Sequence, residues 1–275
     1  MTTHSSIRLF ISVSGLALAL PAMASWSDPF DKDYIAPARW AGESNTPIRG
    51  SHVEMQRSII NGQLRMRSKG FADNDSDTGA TTVRNSMVMK PAGGPINGMQ
   101  AKVSVSVAVV TGCEANETPS VTRTRLFGYY FNTGSSRSGS NYNDVFAGVQ
   151  VYRASDSTDP ADLLRISGFV GQCLNDDCTQ TKALASQAMG TVLKGQAIEL
   201  SADWSKDSHM FVLGRHLWGA PENWDIYNVH YDVADQALSN IPAKRLEISN
   251  QIAHCATPVR AVAHSAADFD DAVAR

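Results

Sequence analysis

The stretch Met99-Gln-Ala-Lys-Val-Ser-Val-Ser-Val-Ala-Val-Val-Thr-Gly-Cys113 decides the fold. Apolar side chains stand at Met99, Ala101, Val103, Val105, Val107 and Val109, with Lys102, Ser104 and Ser106 between them. Successive side chains of a strand point to opposite faces, so this period of two predicts a strand with one face in a core and one in water. Its valines favour that pleated setting. The strand runs into Cys113, a residue that an exported chain uses as a covalent staple.

The alternation recurs outward from this strand. Val145, Ala147, Val149 and Val151 form one buried face, and Leu164, Ile166, Gly168 and Val170 another. Ile198, Leu200, Ala202 and Trp204 alternate with Glu199, Ser201 and Asp203, and Met210–Arg215 follows through a turn at 205–208. Val121–Phe131 carries Thr122, Arg123, Thr124 and Arg125, and Leu246 and Ile248 alternate with Arg245, Glu247 and Ser249. Asn61-Gly62 between two short runs is a strong hairpin signal. Thr181–Met189 alone has the composition of a helix. About ten strands with regular turns and no internal repeat predict an all-β, two-sheet antiparallel sandwich.

The start of the chain predicts export. Arg8 precedes the apolar run Leu9–Leu20, and Pro21-Ala-Met-Ala24 places small residues at the positions a signal peptidase reads. Residues 1–24 are therefore read as a signal peptide and 25–275 as a single mature domain, periplasmic or extracellular. A membrane-spanning helix needs ~20 apolar residues, and neither the leader nor any later stretch supplies them. The net charge of −3, with no basic block, argues against nucleic acid as a partner.

The four cysteines allow three connectivities. Cys173 and Cys178 flank a turn rich in Asn and Asp and can close locally, which leaves Cys113 to pair with Cys255. The chain-entropy account gives about 2 kcal/mol for the short loop and about 5 kcal/mol for the long one. A zinc hook at Cys173 and Cys178 lacks its second half, so disulfides are favoured.

Several short motifs resemble the concanavalin A-like lectin and glucanase jelly roll. Phe30…Tyr34-Ile35…Arg39-Trp40 looks like its opening strand, and Ile60-Asn-Gly-Gln-Leu-Arg-Met66 is similar to an early hairpin strand. Lys194–Trp204 followed by His209–Leu213 resembles a central strand pair, and Asp268-Phe-Asp-Asp-Ala-Val273 the closing strand, interrupted at Ala272. The resemblance implies fold rather than activity, because this fold hosts lectins, hydrolases, lyases and inert spacers. The retaining glucanases of the fold carry Glu-x-Asp-x-x-Glu on one strand, with two carboxyl groups ~5 Å apart. No such string occurs, nor do the Gln-x-His and Tyr-x-Lys elements of related alginate lyases. A non-catalytic role is favoured: binding a polysaccharide or other glycan, or association with the cell envelope. The alternatives are a hydrolase or lyase with an unrecognised site and a structural envelope protein.

Three places are candidates for ligands. Asp73, Asp75 and Asp77 set carboxylates on alternate residues of a polar loop ending in Gly79, a pattern suited to calcium. Trp218, Trp224, Asp225, Tyr227 and Asn228 lie in the densest aromatic stretch, 217–231, read as a loop. Sugar rings stack on aromatic faces while amides and carboxylates take hydroxyls, so this stretch is the expected glycan site, against core packing as the alternative. His216, His230 and Asp232 lack recognisable ligand spacing and are read as separate residues. Asn116-Glu-Thr118 fits a glycosylation sequon.

Overall fold

The computed structural model describes residues 25–41, 48–49, 53–72, 76–134, 139–219, 223–239, 241–256 and 260–275. The expected leader lies outside the described residues. In chain order the strands are β1 (Trp26–Asp28), β2 (Trp40–Ala41), β3 (Ile48–Arg49), β4 (Val53–Ile60), β5 (Gln63–Phe71) and β6 (Ala80–Met89). Next come β7 (Gly98–Val110), β8 (Val121–Asn132), β9 (Asp144–Ala154), β10 (Leu163–Cys173), β11 (Thr181–Leu193) and β12 (Ala197–Ser205). The last are β13 (Met210–Leu217), β14 (Asp225–His230), β15 (Ala237–Leu238), β16 (Lys244–Ala253) and β17 (Val262–Ala274).

These strands build the expected two-sheet antiparallel sandwich. The first sheet runs β14-β13-β12-β7-β17-β5-β4-β3, with β1 on β17; the second runs β11-β10-β9-β8-β16-β6-β2, with β15 on β8. Their inner faces meet through Leu64, Met66, Val103 and Phe269 of the first sheet and Leu126, Val149, Ile166 and Ile248 of the second. Asn61 and Gly62 both take positive φ (53° and 72°) at the β4–β5 turn, the backbone that a two-residue hairpin of matching twist requires.

The organising strand becomes β7, in the middle of the first sheet. Met99, Ala101, Val103 and Val105 point into the core as the period of two demands. Val107 and Val109 depart from it. The register pairs Val105 with Ala267 and Val107 with Ala266, so Ser106 is an extra residue bulged from the ladder. One inserted residue reverses every face beyond it; Ala108 is buried and Val109 is 50% exposed.

Two local expectations are corrected. Thr181–Met189 is not helical but forms most of β11, an edge strand laddered to β10 over its length. Its helix-forming residues sit on a largely exposed edge, where packing selects weakly and the ladder overrides propensity. Part of 217–231 is likewise not loop: Asp225–His230 is β14, the strand that ends the first sheet beside β13.

Both disulfides pair as expected. Cys113–Cys255 has a Cα separation of 5.6 Å and joins the connection leaving β7 to the connection leaving β16. Cys173–Cys178, at 4.8 Å, closes the β10–β11 turn. At the other end of β16 lies a buried polar group that the sequence did not reveal. Lys244 is 1% exposed, donates from Nζ to the Tyr129 carbonyl and lies 4.0 Å from the centre of the Tyr130 ring. Asp144, fully buried nearby, accepts from Asn132 Nδ2 at 2.7 Å and Ser239 Oγ at 2.6 Å. Burial lowers the Lys244 ammonium to about 7, partly opposed by Asp144, and the same burial raises the Asp144 carboxyl.

Candidate functional site

The outward face of the second sheet carries the densest chemistry of the molecule. Alternation puts Leu246 and Ile248 of β16 in the core, so Arg245, Glu247, Ser249 and Gln251 face out; by the same rule β8 presents Arg123, Arg125, Phe127 and Tyr129. Register then brings them together. Arg245 stands opposite Phe127, Glu247 opposite Arg125, and Ser249 opposite Arg123. On the next strand, β6 places Arg84 against Ser249 and Ser86 against Glu247. On the other side, β9 and β10 add Phe146, Gln150 and Phe169.

The result is a cleft of about 310 Å³ with an aromatic floor and a cationic rim. The rings of Phe127, Tyr129, Phe146 and Phe169 pack around one another and against the Cys173–Cys178 bridge. Two glycines make room for them. A Cβ on Gly171 would lie 2.4 Å from the Phe146 ring, and one on Gly148 would lie 3.0 Å from Phe169 and 2.1 Å from the Leu126 carbonyl. The arginines lie over the rings: Arg125 is 4.6 Å from the centre of Phe127, and Arg245 is 5.2 Å from Phe127 and 5.4 Å from Tyr129.

Glu247 is the one carboxylate lining this cleft, and it is fully buried. It accepts from Arg125 Nε at 2.8 Å and Ser86 Oγ at 2.6 Å, with Arg245 at 3.5 Å. Burial alone would raise its carboxyl, but the two guanidinium groups and the hydroxyl outweigh that and hold it below the ordinary glutamate range. Among the described residues Arg84, Arg123, Arg125 and Arg245 thus crowd around Glu247, with Asp177 of the β10–β11 turn acted on by Arg84 from further away. Burial, with Arg125 alongside, lowers the Arg123 guanidinium to about 10.

The sequence-predicted glycan residues occupy a different place, the β13–β14 end of the first sheet. Trp218 is 52% exposed, with Lys102 Nζ 3.8 Å from its ring centre. Trp224 stacks on His216 at 5.8 Å, covering Gly214, whose absent Cβ would lie 2.9 Å from the indole. Asp225 pairs with Arg215 at 2.8 Å, Tyr227 is half-buried and Asn228 is exposed. Tyr231 is core: its hydroxyl accepts from Trp204 Nε1 and donates to Asp235, each at 2.9 Å.

Asp73 and Asp75 of the calcium expectation lie outside the described residues. Asp77 sits beside the Cys113–Cys255 bridge, and its Oδ1 accepts the Ala256 N–H at 2.7 Å. His216 lies 3.4 Å from Glu199 and joins no metal-binding cluster among the described residues. Asn116 is buried, its amide donating to the Gly79 and His254 carbonyls at 2.9 Å each. In the folded chain the sequon nitrogen is therefore already used.

The chain matches no protein-family profile and no curated protein by sequence. Among solved structures it is similar to the GlcNAcα1-4Gal-releasing endo-β-galactosidase from Clostridium perfringens (8% identity, TM-score 0.45), aligned over 90% of this chain and 61% of that one. It thus spans less than two thirds of that enzyme's length. It is also similar to a glycosyl hydrolase family protein from Mycobacterium fortuitum (9% identity, TM-score 0.41, 90% and 98% covered). A third likeness is to a legume lectin-like domain from Entamoeba histolytica (10% identity, TM-score 0.36, 87% and 96% covered). At such identities and TM-scores these likenesses carry no argument about what the chain does. The fold is the two-sheet antiparallel sandwich described above, and the chemistry of the cleft is read from this chain's own residues.

Proposed function

We propose that the protein is an exported, non-catalytic glycan-binding sandwich whose principal site is the cleft on the outward face of the second sheet. The observation that carries this reading is the aromatic floor cleared by Gly148 and Gly171 and rimmed by arginines, with Gln150 and Gln251 beside it. Fixed polar groups beside partly exposed rings can hold a sugar by its hydroxyls and its C–H face, and polar groups make up most of this cleft's lining. A non-catalytic role is supported by the state of Glu247. Hydrolysis by two carboxylates needs a second one ~5 Å or more away, whereas this lone carboxylate is already bound by Arg125, Arg245 and Ser86.

Calorimetric titration of the mature protein with a panel of oligosaccharides tests the proposal. Phe169→Ala should weaken binding about 5- to 150-fold while the thermal melt stays cooperative. Release of new reducing ends or unsaturated uronates on incubation would instead make the protein an enzyme. The edge bearing Trp218 and residues 224–228 is proposed as a second sugar contact, favoured by the half-exposed indole of Trp218.

A further inference from the structure

We infer that the cleft selects a polyanionic glycan chain, one bearing carboxylate or sulfate groups along its length, and that Arg84, Arg123, Arg125 and Arg245 recognise those charges. This rests on the reading of the cleft as a glycan site and adds the class of glycan. The first support is a contrast between the two outward faces. On the first sheet four outward cations have carboxylates of their own, Arg65 with Asp268, Lys102 with Asp270, Arg275 with Asp203 and Arg215 with Asp225, while Arg67 and Lys69 form no ion pair among the described residues. On the second sheet Arg125 and Arg245 share Glu247, and Arg123 reaches only the Gln251 amide, at 3.2 Å. Arg84 forms no ion pair among the described residues, and the carboxylate it acts on from further away is Asp177 of the β10–β11 turn. A chain of net charge −3 has acids enough to pair these arginines, yet here the positive charge is left in surplus.

The second support is unfilled hydrogen-bonding capacity. Arg245 Nε is buried with no partner, and a buried unsatisfied donor costs stability unless something accepts from it. The third is spacing. Arg84, Ser249, Arg123 and Tyr152 follow one another in register across four adjacent strands. Arg84 and Arg123 are therefore two strand spacings apart, ~10 Å, close to the length of two linked pyranose rings. Guanidinium groups bind carboxylate and sulfate through paired N–H donors. An extended acidic chain lying across the strands would meet charge at one ring and the partly exposed rings of Phe146 and Phe169 beside it.

Calorimetry on the mature protein with five probes tests this: oligogalacturonate, dextran sulfate, laminarin oligosaccharides, neutral dextran and oligo-dT. Oligogalacturonate or dextran sulfate should bind, with affinity falling on the order of tenfold or more between about 50 and 200 mM salt. Carboxylate and sulfate probes differ in the headgroup favoured, and binding of either supports the inference. Arg84→Ala, at an exposed position, should weaken binding about tenfold or more, Arg84→Lys less, and Arg67→Ala on the opposite sheet not at all. Salt-insensitive binding of laminarin or dextran alone would overturn the anionic selectivity and leave the glycan reading standing. Oligo-dT bound as tightly as the acidic glycans would overturn the glycan class in favour of a general polyanion site. No binding to any probe would overturn both.

Discussion

Glu247 and Arg125 face each other across the β16–β8 register, and the buried carboxylate holds both the Nε and a terminal nitrogen of the guanidinium. Arg245 and Ser86 complete its surroundings. Glu247 is thus the counter-ion that allows like charges to crowd on one sheet face. Glu247→Gln would leave Arg125 and Arg245 with a neutral amide, and breaking such a buried pair costs about 3–5 kcal/mol. Its folded carboxyl titrates below its unfolded value of 4.5. That contribution is present above pH 4.5 and lost as pH falls through the depressed folded value. Urea unfolding from pH 6 downward should show this acid loss in the native protein and not in Glu247→Gln.

Lys244 gives the opposite slope. Its folded value of about 7 lies below the ordinary 10.5, so between those limits the unfolded chain binds more protons than the native one. Stability from this group therefore rises with pH across that window, and below pH 7 the cost of burying the charge is fully present. Lys244→Met, close in shape and neutral, should stabilise the protein by about 1–2 kcal/mol at pH 7. It should also flatten the rise in urea midpoint between pH 7 and 9. A steeper rise in the variant would contradict the assignment.

The two tryptophans of the edge should behave differently. Trp218 is half exposed, so Trp218→Ala should change stability by less than about 1 kcal/mol. Trp224 covers Gly214 and stacks on His216, and its loss should cost about 2–3 kcal/mol. Parallel thermal melts separate them. Weaker glycan binding with an unchanged melt in Trp218→Ala would support the second sugar contact.

Gly171→Ala tests how the floor is built. The new methyl would meet the Phe146 ring at 2.4 Å, so the ring must tilt into the cleft. The expected cost is about 1–3 kcal/mol, with a larger relative loss of glycan affinity. Serine at the same position should behave alike, because the clash begins at Cβ.

Much of the fold was legible because its rule is local. Period-two alternation marked β7, β9, β10, β12 and β16, and Asn61-Gly62 marked its hairpin, since each signal lies within a dozen residues. The bulge at Ser106 was hidden because it depends on how Ala266 and Ala267 pair across the sheet. The cleft was hidden for the same reason. Arg123 and Arg125, and Arg245 and Glu247, each read as an ordinary solvated strand face; only register over 122 residues sets Arg125 on Glu247. The dense aromatic run at 217–231 drew attention by composition, while the floor drew its rings from three strands, each contributing one or two.

The two crossovers tied by Cys113 and Cys255 act as the spine of a book whose covers are the sheets. At the far edge Lys244 and Asp144 bond only to Tyr129, Asn132 and Ser239 on the second-sheet side, so no covalent tie joins the covers there among the described residues. With the spine intact, opening begins at that far edge, so amides of Gly128–Asn132 should exchange with solvent before those of Val121–Arg123. Reduction frees the spine as well, and the order of opening should even out. A protein leaving a reducing interior for an oxidising exterior would acquire its direction of opening on the way.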